Sequence, residues 1–258
     1  MAQERADRIS RLINKIPELS DYRLSLVEKI VEVFSQPRTY QRLQTSNIIS
    51  EAILEDLGDV LRLHHCFSRE PFSKDKFEYA LAAVLQTNGV NAELAPRGQR
   101  GYDISITCKR TSLKTEAAAA IRTDMIHISK FMELGGGHWG DNPEDLIGLR
   151  QQFLENLANT DRILILRALK KGDPDFLYEL VEVPKKLLQR ATTGRFEMRM
   201  ESKQFPKPGY CYVEKGGKLL FCLYFDGGGE RKLQIKHLNK TLCLSHATWH
   251  FVATENVG

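Results

Sequence analysis

The chain has 258 residues, 42% of them hydrophobic and 27% charged, with a formal net charge of +4. That is enough apolar material for a substantial core in one large domain, and too little net charge to name a partner. No apolar run approaches the roughly 18 residues a spanning helix needs, and the charged opening MAQERADRIS does not resemble an export signal, so no membrane partner is expected.

Residues 1–65 read as helices. Ile9, Leu12, Ile13 and Ile16 share one stripe, and Leu24, Val27, Val31 and Phe34 form another after a cap expected at Ser20. A third segment runs from Ile49 to Leu61. The next helix is expected over 74–88, stopped by Gly89, with Phe77, Ala80, Leu81, Val84 and Leu85 on its buried side. Glu78 lies close beside that stripe.

Two strands follow. Tyr102, Ile104 and Ile106 alternate with Asp103, Ser105 and Thr107, and Leu113 and Thr115 alternate with Ser112, Lys114 and Glu116. CKRT joins them into a hairpin. A four-residue loop over 108–111 sets Asp103 opposite Glu116, whereas a two-residue loop sets Asp103 opposite Lys114. Both registers leave the charged side chains on one face. Carboxylates beside a lysine suit Mg²⁺, which makes hydroxide from bound water and neutralises charge building on a phosphate. The lysine is a compact cation able to orient that water or steady the phosphorus.

Gly135, Gly136 and Gly137 read as a mobile loop, and they lack the GxxxxGK of a nucleotide-binding loop. A helix is expected around 146–157, a strand buried on both faces at 163–169, a strand in DFLYELVEVP ended by Pro184, and a short helix in KKLLQRA. From Gly194 onward RFEMRMES, GYCYVEK, KLLFCLYF, RKLQIKHL and ATWHFVA read as strands. Residues 185–240 hold 13 Lys or Arg against 5 Asp or Glu, which suits a polyanion. The five scattered cysteines contain no CxxC and read as free thiols of a reducing cytoplasm. Cys211, Cys222, Cys243 and His246 do not have the spacing of a zinc module. The expected fold is a single α/β domain.

The order helix 74–88, Asp103, Lys114, helix 146–157, strand 163–169 resembles the core of the PD-(D/E)xK nucleases. That core has a mixed central sheet flanked by helices, here with a helical N-terminal segment and a strand-rich C-terminal part. Tyr102 stands where the motif has Pro, and Ser112 occupies its acidic position, giving Ser-Leu-Lys. The resemblance then implies a carboxylate recruited from elsewhere. Glu116 is the first candidate, on the same face as Lys114, and Glu78 the second, because the opening helix of such cores often lends a glutamate. Asp103, Glu116 and Glu78 are thus the expected metal ligands, with Lys114 catalytic beside them.

IHISKFMELGGGHW, ESKQFPKPGYCYV, FDGGGERKLQIKHLN, LKTEAA and LVEVPKKLL resemble segments of the SmaI-like type II restriction endonucleases, in the same order from about residue 60 to 252. The resemblance implies a Mg²⁺-dependent prokaryotic enzyme of the cytoplasm, acting as a homodimer on palindromic duplex DNA. The implied site is CCCGGG, cut at its centre to leave blunt ends. A cognate DNA methyltransferase would act on the same site without stable binding.

Each half of such a site shows guanine N7 and O6 in the major groove, the commonest target of Arg and Lys. In ERKLQIKHLN, Leu233 and Ile235 alternate with Lys232, Gln234 and Lys236, so one strand face can pack while the other reads. Arg231, Lys232, Gln234, Lys236 and Asn239 are therefore base or phosphate candidates. Lys203, Gln204 and Lys207 join them from a proline-set loop, and His127 and Lys130 are candidates for phosphate contact. The expected division is 1–65 for dimerisation, 74–190 for catalysis and 194–254 for recognition. Two alternatives are a DNA-binding protein with an inactive core, since Ser112 breaks the motif, and a nicking or repair nuclease of the same fold.

Overall fold

The structure is a computed structural model and describes residues 2–96, 98–135, 139–171 and 175–253. Of the expected glycine loop, Gly136 and Gly137 lie outside the described residues. Helices α1 (Ala2–Lys15), α2 (Asp21–Ser35), α3 (Glu51–His65) and α4 (Lys74–Thr87) form the first third of the chain. Ser20, Ser50 and Ser73 cap the last three, each hydroxyl accepting the N–H of the residue three further on, at 3.4, 3.2 and 3.4 Å. Gly89, at φ +74, ends α4 as expected.

The helical N-terminus is interrupted by one strand, β1 (Arg38–Arg42), which pairs antiparallel with the last strand. RTYQR has no apolar alternation, because its hold is mainly a backbone ladder. Gly58 of α3 lets the helix lie close here: a Cβ would come within 2.3 Å of the Tyr40 ring and 2.6 Å of Trp249.

The remaining elements are β2 (Ala92–Leu94), β3 (Ile104–Ile106), β4 (Lys109–Glu116), β5 (Met125–Glu133), α5 (Leu146–Ala158), β6 (Arg162–Lys171), β7 (Asp175–Glu182), α6 (Lys185–Leu188), β8 (Arg195–Met198), β9 (Gly209–Lys215), β10 (Lys218–Phe225), β11 (Lys232–Asn239) and β12 (Leu244–Val252). They build two sheets. The first has the order β1-β12-β7-β6-β4-β3-β2 and is antiparallel except between β4 and β6. The second, β5-β11-β10-β9-β8, is antiparallel throughout. The stretch 194–254 thus divides its strands between both sheets, β12 returning to the first.

Alternation along β6 explains the layers. Leu164 and Leu166 face α3 and α4, packing with Leu57, Leu61, Phe77 and Leu81. Ile163 and Ile165 face the other way, toward Phe153 and Leu157 of α5 and the inner side of the second sheet, with Ile128, Leu223, Leu233 and Ile235. The first sheet is therefore buried on both faces at its centre, along β6. His246, fully buried, is held between Ser46 Oγ at 2.9 Å and Glu182 Oε2 at 3.1 Å, a tie between the N-terminal segment and the sheet. All five cysteines are free, and Cys66, Cys211 and Cys222 are buried.

α1 stands apart from this core. Ile9, Leu12 and Ile13, its predicted apolar stripe, are 49, 57 and 59% exposed. Among the described residues no helix is long and apolar enough to cross a membrane.

Candidate functional site

The hairpin turns earlier than either register expected from the sequence, by one residue against the two-residue loop. Its turn is Thr107–Cys108, both at positive φ (47° and 63°), the geometry whose twist matches paired strands. Ile106 therefore pairs with Lys109 and Ile104 with Thr111. Asp103 stands across from Ser112 and Leu113, opposite neither Lys114 nor Glu116. Its N–H donates to the Thr111 carbonyl at 3.0 Å. Its Oδ2 accepts from the Leu113 N–H at 2.6 Å and the Ser112 hydroxyl at 3.2 Å. Ser112 is thus a donor that fixes the aspartate across the strand pair.

α4 supplies the other half of the group. Its Ser73 cap starts the helix at Lys74, and the buried Phe77 turns the adjoining side, with Lys74 and Glu78, toward Asp103. Lys74 Nζ lies 2.8 Å from Asp103 Oδ1 and 2.5 Å from Glu78 Oε1. Both contacts are ion pairs, and the Glu78 Oε1 atom is itself buried. Lys114 feels the charges of Asp103, Lys74, Glu78 and Lys130, and its Nζ is 5.4 Å from the Phe131 ring centre. Burial pushes its pKa down to about 8, and the Asp103 charge offsets part of that. Burial alone would raise the Asp103 pKa. The Lys114 charge, then the Lys74 and Leu113 hydrogen bonds, outweigh it and hold the carboxyl below its ordinary value.

Glu116 shares a face with Lys114, as parity requires, but is not brought to Asp103. It is directly opposite Arg167 on β6. Oε2 pairs with the fully buried Arg167 and Oε1 accepts the His127 N–H at 3.1 Å. Arg167 also pairs with Glu179 and donates to the carbonyls of Arg122 and Met125, both at 2.6 Å. Lys240 pairs with Glu179 from the other side. The Glu116 carboxylate is therefore committed to a buried structural network.

The second sheet offers a polar face of its own. Cross-strand registers align Gln234, Tyr224, Tyr210 and Glu197 in one row and Lys236, Cys222, Tyr212 and Arg195 in the next. The Lys236 ammonium sits 3.7 Å from the Tyr224 ring centre and 5.7 Å from that of Tyr210. Gln234 Oε1 accepts from His127 Nε2–H at 3.1 Å, and Gln234 Nε2 donates to Asp226 Oδ2 at 3.1 Å. Gln204 donates to Asp226 Oδ1 at 3.2 Å, and Lys203 and Gln204 border a shallow hollow with Arg199 and Tyr224. Asn239 does not join this row. His237, at φ 53°, marks an irregularity in β11, and the Asn239 side chain caps the following turn through the Thr241 N–H at 2.9 Å. Lys207 donates to the Ser202 carbonyl at 2.6 Å, Lys232 pairs with Glu230 at 3.2 Å, Lys130 with Glu133 at 2.8 Å, and the Arg231 guanidinium lies 5.7 Å from the Trp139 ring centre.

A family model described as "SmaI: Type II site-specific deoxyribonuclease" matches residues 12–251. The type II restriction enzyme SmaI of Serratia marcescens is 42% identical over 237 residues, covering 91% of this chain and 94% of that protein. The chain belongs to the SmaI family of type II restriction endonucleases. No solved structure matches it.

As a SmaI-family deoxyribonuclease, the protein is an enzyme that acts on double-stranded DNA, and type II restriction enzymes generally use a divalent metal. Among the described residues, no group of three His, Cys, Asp or Glu is assembled to hold one. Two carboxylates suffice for Mg²⁺, which keeps several waters and shares substrate phosphate oxygens. Asp103 and Glu78, whose facing oxygens already share one cation in Lys74, fit that requirement.

Sequence reading missed Lys74, Asp226 and Arg167. Only Lys74 left a local signal, its spacing of four residues from Glu78. The partners of Asp226 and Arg167 are distant in the chain or on neighbouring strands.

Proposed function

We propose that this enzyme uses Mg²⁺ at a PD-(D/E)xK-type centre to hydrolyse both strands of CCCGGG duplexes at the central phosphodiester, leaving blunt ends. The observation carrying this reading is the meeting of Asp103, Glu78 and Lys114 at one end of a hairpin. Asp103 and Glu78 would hold the ion, which when bound polarises the phosphate and acidifies a water. Lys114 Nζ orients that water and, with a pKa of about 8, is partly free amine near that pH and able to take its proton. Water oxygen bonds to phosphorus as the bond to the 3′-oxygen breaks, and that oxygen takes a proton from solvent water, leaving a 5′-phosphate and a 3′-hydroxyl.

Base reading falls to the second sheet. Lys236 is pre-set over Tyr224 to meet guanine acceptors, and Gln234 and Gln204 are aimed by Asp226. His127, Lys130, Lys203, Lys207, Arg231 and Lys232 supply phosphate contacts around them. A palindrome asks for a two-fold dimer with one active site per strand, and the uncovered stripe of α1 supports the N-terminal helices as its surface. A DNA methyltransferase would share the site without forming a complex.

On a linear duplex with one CCCGGG, Mg²⁺ should yield two flush-ended fragments, and a duplex altered in one base of that site should stay whole. A single-strand nick, or no cut at all, overturns the reading. Glu78→Gln should slow single-turnover cleavage about 10²–10³-fold without changing thermal stability. Glu116→Gln should instead lower the melting temperature and leave cleavage by folded protein within about tenfold. Equal slowing by both substitutions would return Glu116 to the metal site.

A further inference from the structure

We propose that Lys74 is a resident cation of the active site, whose ammonium bridges Asp103 and Glu78 when no metal is bound and must leave before a divalent ion enters. This rests on reading those two carboxylates as the ion's ligands. Nζ occupies the position between Asp103 Oδ1 and Glu78 Oε1, at 2.8 and 2.5 Å. The same two oxygens cannot hold an ammonium and a divalent ion together, and the two cations repel strongly at such range.

Lys74 is placed to leave. It is the first residue of α4, its side chain is 38% exposed, and its flexible four-carbon stem can swing to the rim. Lys114 stays, enclosed against Phe131. With both lysines charged, Asp103, Glu78, Lys74 and Lys114 sum to zero. Trading one ammonium for a divalent ion makes the same site positive, as an added phosphodiester requires. A phosphate at the rim gives the displaced ammonium a new partner. Metal and DNA therefore load cooperatively, and the DNA-free enzyme binds metal weakly.

The test is a Mn²⁺ titration of DNA-free protein, with free Mn²⁺ followed by electron paramagnetic resonance. Lys74→Met and Lys74→Gln should each bind Mn²⁺ about tenfold more tightly than the unaltered enzyme, since a competing unit charge is gone. Circular dichroism identifies which variant is folded, and either suffices. An unchanged or weaker affinity in a folded variant overturns the competition. Asp103→Asn in the same titration separates the two readings. If it loses Mn²⁺ while the Lys74 variants match the unaltered enzyme, the metal site stands and only the role of Lys74 falls. If it binds Mn²⁺ normally, the site itself is misassigned.

Discussion

Asp103→Asn is expected to reduce cleavage of a CCCGGG duplex by about 10³-fold or more while leaving DNA affinity within about threefold. The amide keeps the shape and an oxygen that can still accept from the Leu113 N–H and the Ser112 hydroxyl, so the hairpin should hold. What disappears is the negative charge that Lys114 and Lys74 hold in its ionised form. A divalent ion loses a charged ligand, and Lys114 loses the group that counters its burial. Single-turnover cleavage and gel-shift titration in Ca²⁺ measure the two effects separately. Cleavage within tenfold of the unaltered enzyme would remove Asp103 from the chemistry.

Arg167→Met should cost stability rather than chemistry, by about 3–5 kcal/mol, the usual effect of removing one partner from a buried ion pair. Arg167 is fully buried and is the common partner of Glu116, Glu179 and two backbone carbonyls. Methionine fills much of the volume but supplies no donor, leaving the Glu116 Oε2 and two carbonyls without their partner. At this chain length the loss corresponds to a fall in melting temperature on the order of 10 °C. Calorimetry decides it: a fall of a degree or two would mean the network is not structural. Glu116→Gln added to Arg167→Met should recover part of the loss, because it removes the stranded charge.

The helices and most strands were legible because their signals are local. Ser20 and Gly89 punctuate helices by side-chain capping and left-handed backbone, and the run 163–169 is apolar on both faces because both sheet faces are covered. β1 was not legible, since RTYQR is polar and its partner lies some 200 residues away in β12. Nor was the turn at Thr107–Cys108, where a β-branched residue takes a conformation that Asn-Gly would have advertised. The same limit divided the site. Asp103 and Lys114 could be paired from sequence because one hairpin carries both. Parity put Glu116 on the right face, but its partner is set by the parallel register with β6, which no local pattern encodes.

The anchoring of Asp103 has one more consequence. Its main chain is held by Thr111 and its carboxylate by Leu113, both on the strand that bears Lys114. The separation between acid and amine is thus an internal dimension of a single ribbon about twelve residues long (Asp103 to Lys114). Drift or breathing elsewhere in the protein carries the two along as a unit, and the spacing changes only when that ribbon itself is rebuilt.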